Sequence, residues 1–206
     1  MNANRIHRGI LLLASLALIA TLALGGGCAS GVEPISIHDP NVPAEGRKLI
    51  ADAEDSVAIA RAKRDEARMQ LRQIEAWRQQ VRSQGDWPSD ATAAVTSLND
   101  LVDSRVRLAQ LRRDRAQEQV RLAEVELDLI TARVAVRNDL AVYDIEGIHE
   151  RVTERREINR ELDRELAMHM ERVDEVTQNW WNTYASYVSQ GGDASPFYPA
   201  FDRPTL

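Results

Sequence analysis

The sequence predicts an all-α fold, a long antiparallel coiled-coil hairpin that a third helix extends into a three-helix bundle. Charged residues make up 28% of the chain and aromatic residues 5%, and Ala, Arg, Glu, Leu and Val dominate its middle. This composition is typical of long helices and coiled coils. Two runs carry an apolar residue at every seventh position, the spacing of a coiled-coil seam. These residues are Ala53, Ala60, Ala67, Ile74 and Val81 in the first run, and Val95, Val102, Ala109, Ala116 and Ala123 in the second.

The stretch between the two runs predicts where the hairpin turns back. Gly85 and Pro88 are expected to end the first helix, and the hydroxyl of Ser89 is placed to cap the second. The two seven-residue series are symmetric about Pro88. Folding the chain there puts Ala60 opposite Ala116, with the other members of both series in the same register.

The first helix is expected to begin just after Pro43, a residue that suits an early helical position. Its seam holds eight apolar side chains at helical spacing, which predicts one continuous buried face. They are Ile50, Ala53, Val57, Ala60, Ala67, Leu71, Ile74 and Val81.

The second helix carries a further apolar stripe, which a two-helix hairpin would leave exposed to water. A third helix or another chain must therefore cover it, and the run from Ile145 to Trp180 offers the third surface. In one architecture the chain breaks at Gly147 and folds back, so that Leu166 lies opposite Leu129. In the alternative, the hairpin contains one continuous helix from about residue 90 to 189. The stripe consists of Leu101, Leu108, Leu111, Leu122, Val125, Leu129, Ala132, Val136, Leu140 and Tyr143.

The N-terminus has the layout of an export signal. Arg5 and Arg8 precede an apolar run from Ile10 to Leu24. This run makes about 22 Å of helix, too short for the roughly 30 Å hydrocarbon core of a bilayer. It therefore indicates a cleaved signal rather than a membrane-spanning helix.

The small residues that lead to Cys28 resemble the end of a bacterial lipoprotein signal. The resemblance implies that residues 1–27 are removed and that Cys28 is acylated, which gives a stable lipid anchor. Because Ala29 rather than aspartate follows the cysteine, it also implies sorting to the outer membrane, on its periplasmic face. Residues 28–43 carry three prolines and no periodicity, so we expect a flexible linker before a helical domain at 44–190.

Aromatic residues concentrate near the C-terminus, where seven of the ten lie in the last 27 residues. Gly191 and Gly192 are expected to end the last helix, and residues 191–206 to form an irregular aromatic tail. The rings either cap the bundle or form a docking surface, since aromatic side chains are enriched at contacts. The candidate partner contacts are Trp87, Trp180, Trp181, Tyr184, Tyr187, Phe197 and Tyr198.

Charge and motifs argue against several function classes. A formal net charge of −6 disfavours nucleic-acid binding, which needs a basic surface. The sequence contains no HExxH or GxSxG motif and no phosphate-binding Gly-rich loop. Glu146-x-x-His149 has the spacing of di-iron four-helix proteins, but the second pair that this chemistry requires is missing. We therefore expect neither an enzyme nor a cofactor or metal site.

Together these observations predict an outer-membrane-anchored periplasmic lipoprotein that acts as a structural spacer or protein-binding scaffold in the cell envelope. As a lipidated helical rod it resembles the murein lipoprotein class, but without that class's C-terminal lysine. The expected partners are the membrane, through Cys28, and an envelope protein or a second copy through the coiled coil. The alternatives are an accessory adaptor subunit of a trans-envelope export or secretion complex, and a helical-bundle metal protein.

Overall fold

The computed structural model confirms the all-α fold. Residues 35, 39–85, 87–201 and 204 are described, and no β-strand occurs among them. Three long helices account for most of this part of the chain, and two short 3-10 turns and a one-turn helix complete it. The elements are α1 (Ala44–Ser83), a 3-10 turn (Ser89–Ala91), α2 (Thr92–Arg137), α3 (Ile145–Ser189), a second 3-10 turn (Ser195–Phe197) and α4 (Tyr198–Phe201).

The central helix α2 packs against both α1 and α3, and it runs antiparallel to each of them. With 40, 46 and 45 residues, the helices are about 60 to 70 Å long. The three-helix unit therefore has two well-separated ends. We call the end where α1 begins and α2 gives way to α3 the base (residues 39–49 and 134–146). The opposite end, which holds the aromatic tail, is the aromatic end (residues 74–101 and 173–201).

The predicted seam of α1 is confirmed. All eight of its apolar side chains are buried, from Ile74, which is fully inaccessible, to Ala60 at 9% exposure. Small residues along the seam let α1 approach α2 closely, and one such close approach is at the base. There a Cβ on Gly46 would lie only 2.8 Å from Cγ1 of Val134.

The register between α1 and α2 differs from the prediction by about one heptad. Ala116 lines a groove together with Ala67 rather than facing Ala60, and Arg82 forms an ion pair with Asp103 at 2.8 Å. The first turns of α2 thus extend beyond the end of α1. Hydrophobic side chains of the aromatic end pack against these first turns of α2.

Ser89 does not cap α2 as predicted. It begins the 3-10 turn Ser89–Ala91, whose backbone continues directly into the helix at Thr92. Ala91 occupies the N-cap position and has no side chain that could accept a hydrogen bond. The hydroxyl of Thr92 instead donates to the carbonyl oxygen of Ser89, at 2.9 Å.

The chain breaks between α2 and α3, which excludes the single continuous helix, and the break precedes Gly147. Asp139 has a positive φ of 53°, and the amides of Asp139 and Leu140 donate to the carbonyls of Val136 and Ala135. This is a Schellman motif with aspartate at the left-handed position. Gly147 lies in the first turn of α3, where its amide donates to Oδ1 of Asp144 at 2.9 Å.

This earlier break shifts the α2–α3 register as well. Leu166 lies beside Arg112 on a groove, not opposite Leu129. Leu129 instead packs with Ala132, Ile148 and Val152 near the base. Since the turn comes several residues before Gly147, every partner on α2 is displaced toward the N-terminus of that helix.

The middle of the α2–α3 interface is polar. The side chain of Glu118 is only 5% exposed and forms ion pairs with Arg155 at 3.0 Å and Arg121 at 3.1 Å. Buried Asn159 donates to the carbonyl of Arg155 at 3.0 Å. A buried carboxylate is stable only when it is paired in this way, so the Glu118–Arg155 pair, which joins the two helices, favours one alignment of α2 on α3.

Candidate docking surface at the aromatic end

A tight turn folds the C-terminal tail back over the last turns of α3. Gly191 has a φ of 89°, and the amides of Gly191 and Gly192 donate to the carbonyls of Val188 and Tyr187. Glycine suits this position because it adopts the left-handed conformation without strain. Asp193 then accepts hydrogen bonds from the amide of Ser195 at 2.9 Å and from its hydroxyl at 2.7 Å.

Phe197 fixes the tail to the bundle. Its side chain is fully buried, with its ring centroid 5.0 Å from Trp87, 5.4 Å from Tyr184 and 5.6 Å from Tyr187. These separations are typical of favourable aromatic pairs. Phe197 therefore occupies the space that the overhang of α2 leaves open.

A second attachment lies on α1. The indole Nε1 of buried Trp77 donates to the carbonyl oxygen of Pro199 at 3.1 Å. The guanidinium of Arg105 lies 5.9 Å from the Trp77 ring centroid and donates to the carbonyl of Pro204 at 3.3 Å. The tail thus contacts all three long helices, and much of it caps the core.

Three rings remain on the surface of this end. Trp181 and Phe201 are each 38% exposed, and Tyr198 is 64% exposed. The rings of Trp181 and Phe201 lie 5.7 Å apart, and Tyr198 is one turn before Phe201 on α4. We call these three residues the aromatic surface. It is apolar and exposed, and it rests on the packed rings below it, the arrangement that suits a docking site.

The structure divides the sequence-predicted contact residues into two groups. Trp181 and Tyr198 belong to the aromatic surface, whereas Trp180, Tyr187 and Phe197 are buried and Trp87 and Tyr184 are half-buried. One helical face of α3 is buried and carries Val173, Val176, Trp180 and Tyr187. Trp181 lies beside this face, because successive residues are about 100° apart around a helix. Phe201 was missed because no periodic pattern reveals how the tail folds back. Cys28 lies outside the described residues, so its predicted acylation stays a prediction.

Two ionisable groups are tied to the tail. Burial raises the pKa of Tyr187, and the nearby charge of Asp90 raises it further. The hydrogen bonds from the amide and hydroxyl of Ser195 lower the pKa of Asp193, because they stabilise its charged form. The two pKa shifts favour the form that each group has at neutral pH, uncharged for Tyr187 and charged for Asp193.

The sides of the bundle offer grooves rather than enclosed cavities. A groove with a volume of about 500 Å³ lies between α1 and α3 over α2. Ala67, Ala116 and Leu166 line it together with charged groups such as Lys63 and Asp163. Within residues 39–85 and 87–201, no three His, Cys, Asp or Glu side chains are grouped so that they could hold a metal ion.

Comparisons with known proteins give no family assignment. No protein-family model matches the chain, and no curated protein or solved structure shows significant similarity to it. In the part of the chain that the structure describes, no helix combines the length and apolar character that crossing a bilayer requires.

Proposed function

We propose that this protein is a lipid-anchored spacer or protein-binding scaffold on the periplasmic face of the bacterial outer membrane. In this function the acyl chains on Cys28 hold the base near the bilayer, and the aromatic surface captures a partner at a distance. The observation that carries the proposal is the position of the exposed rings Trp181, Tyr198 and Phe201, at the opposite end of the bundle from the start of α1.

The geometry suits a mechanical function. α1 has 40 residues, so the aromatic end lies about 60 Å from the base. The linker from Cys28 to Pro43 adds at most about 50 Å when fully extended. A partner at the aromatic surface would thus be held up to about 110 Å from the lipid. Helices that pack along their whole length keep this distance more constant than a flexible chain would.

The same exposed rings also favour the adaptor function, in which the end of the bundle docks onto a trans-envelope export or secretion complex. Scaffold and adaptor differ in the identity of the partner, not in the contact chemistry. In both cases a few large rings would supply most of the binding energy, as is usual at protein interfaces.

A photo-cross-linking amino acid at Tyr198 tests the proposal in intact cells. Met168, on α3 away from this end, is the matched control, because the two side chains are 64% and 62% exposed. We expect a specific adduct from position 198 and none from position 168. Adducts with peptidoglycan-associated or barrel proteins indicate a spacer, and adducts with a transport complex indicate an adaptor. Equal, unspecific labelling at both positions would contradict both functions.

The anchor is tested separately. Cys28→Ala should move the protein from the membrane fraction to the periplasmic fraction, because the substitution removes the sulfur that carries the lipid. Unchanged fractionation that depends on detergent would contradict acylation at this residue.

A further inference from the structure

The base carries an exposed apolar group of its own. Val142, in the connection between α2 and α3, is 89% exposed, the highest value among the large hydrophobic side chains described. Leu49 on α1 and Val136 at the end of α2 are 45% and 43% exposed. Water contact with such side chains is unfavourable, so a surface that covered Val142 would gain apolar burial.

The connection that carries Val142 is held in place at both ends. The Schellman motif at Asp139 closes α2, and the carboxylate of Asp144 caps α3. Between them, Tyr143 packs against the Leu129 cluster. The exposure of Val142 therefore belongs to an ordered connection rather than to a frayed helix end.

The linker enters the helical body beside this connection. Pro43 and Gly46, from the start of α1, line one small cavity together with Arg137 and Asn138, from the end of α2. Any lipid on Cys28 must therefore hold this end, and not the aromatic end, within about 50 Å of its bilayer.

We propose that the base touches the bilayer itself, with the side chain of Val142 inserted at the interface. This inference rests on the proposed lipid anchor, and it adds a second, non-covalent attachment that fixes which end of the bundle faces the membrane. The occupant is the bilayer because the tether keeps this end near lipid, whatever partner the aromatic surface binds.

The charges around the base favour an apolar contact over an electrostatic one. Among the exposed side chains of the base, acidic ones slightly outnumber basic ones, so anionic lipids gain no net attraction. They are Glu45, Asp139, Asp144 and Glu146 against Arg47, Lys48 and Arg137.

A fluorophore at position 142 tests this contact. In the acylated protein the sulfur of Cys28 is bonded to lipid, so Val142→Cys supplies the one reactive thiol. Because Val142 is 89% exposed, an environment-sensitive dye can be attached there without disturbing the core. The matched control is Glu171→Cys, an exposed site on α3 about 39 Å farther along the helix than Ile145. Both proteins are reconstituted into phosphatidylethanolamine–phosphatidylglycerol vesicles, with and without nitroxide-labelled lipid.

We expect the dye at position 142 to shift to shorter emission wavelength and to be quenched several-fold more by nitroxide lipid than the dye at position 171. Equal, water-like signals at both sites on vesicle-bound protein would overturn the contact and leave the lipid anchor intact. A blue-shifted dye at position 142 that nitroxide lipid does not quench would indicate a protein neighbour and would also overturn it. A free thiol at Cys28 in protein from cells would overturn the anchor and this inference together.

Discussion

Replacing Phe197 with alanine tests whether the tail caps the bundle. The side chain is fully buried and has ring contacts with Trp87, Tyr184 and Tyr187 at centroid distances of 5.0 to 5.6 Å. Removing a buried phenylalanine ring costs about 3 to 5 kcal/mol in a protein core. Phe197→Ala removes all three ring contacts at once.

The tail can respond by leaving the bundle, so the cost is limited to the free energy with which it docks. The remaining attachments include the hydrogen bonds from Trp77 to Pro199 and from Arg105 to Pro204, about 1 kcal/mol each. They also include the ring contacts of Phe201 with Trp180, Trp181 and Tyr184, about 0.5 to 1.5 kcal/mol each. Their sum is comparable to the loss, so we expect the tail to detach in a substantial fraction of molecules while α1, α2 and α3 stay helical. The global free energy of unfolding should therefore fall by less than the full core value.

Tryptophan fluorescence and amide hydrogen exchange measure this detachment. We expect a red shift as Trp77 and Trp87 meet water, and faster exchange in residues 195–201, with little change in far-ultraviolet circular dichroism. Tyr198→Ala is the control, because a side chain that is 64% exposed should change stability by no more than about 0.5 kcal/mol. Indistinguishable spectra and exchange rates for the two variants would refute the capping role of Phe197.

Three further predictions concern the base and the tail turn. Gly46→Ala should destabilise the fold by about 1 kcal/mol in urea unfolding, because the new Cβ would lie 2.8 Å from Cγ1 of Val134. Gly85→Ala is the control and should not destabilise the fold, because no atom lies within 4 Å of the position of its Cβ. Equal effects of the two substitutions would contradict the close approach of α1 and α2. Asp144→Ala should cost about 0.5 to 2 kcal/mol by removing the cap of α3, and an unchanged urea midpoint would argue against that cap. Hydrogen bonds lower the pKa of Asp193 below its ordinary 3.8. The stabilisation of the tail turn by the Asp193 carboxylate should therefore be complete above pH 3.8 and lost as the pH falls through the lowered pKa. An acid titration of tryptophan fluorescence should show this loss in the original protein and not in Asp193→Asn.

The helices and most of their buried faces could be predicted from the sequence, although Val136 of the second stripe is 43% exposed. The alignment of α1 on α2 could not be predicted. A seam with a strict seven-residue repeat matches its partner equally well after a shift of seven residues. The alignment is decided by distant contacts, such as Gly46 against Val134 and the tail against the first turns of α2. The symmetry of the two series about Pro88 does not predict the Gly46–Val134 contact or the docking of the tail.

Residues at the break between α2 and α3 do indicate where the chain turns, but the apolar pattern does not. Asn138 and Asp139 tolerate the left-handed conformation better than most residues, and Asp144 is a strong helix-capping residue. The sequence instead predicted the break at Gly147, because glycine is the commonest residue in the left-handed position at a helix C-terminus. The aromatic surface could be predicted only in part, because the helical period separates Trp180 from Trp181 but does not show where Phe201 lands.

The central position of α2 determines how the bundle would carry load. Tension between the start of α1 and Trp181 on α3 passes mainly through α2, and it acts along the helix axes. The one direct link described between α1 and α4 is the hydrogen bond from Trp77 to Pro199. The α1–α2 seam is then loaded in shear, so its contacts resist together instead of opening one after another. The repeat of the seam would allow a slip of one heptad, about 10 Å, and the Arg82–Asp103 pair at 2.8 Å and the Gly46–Val134 contact oppose that slip.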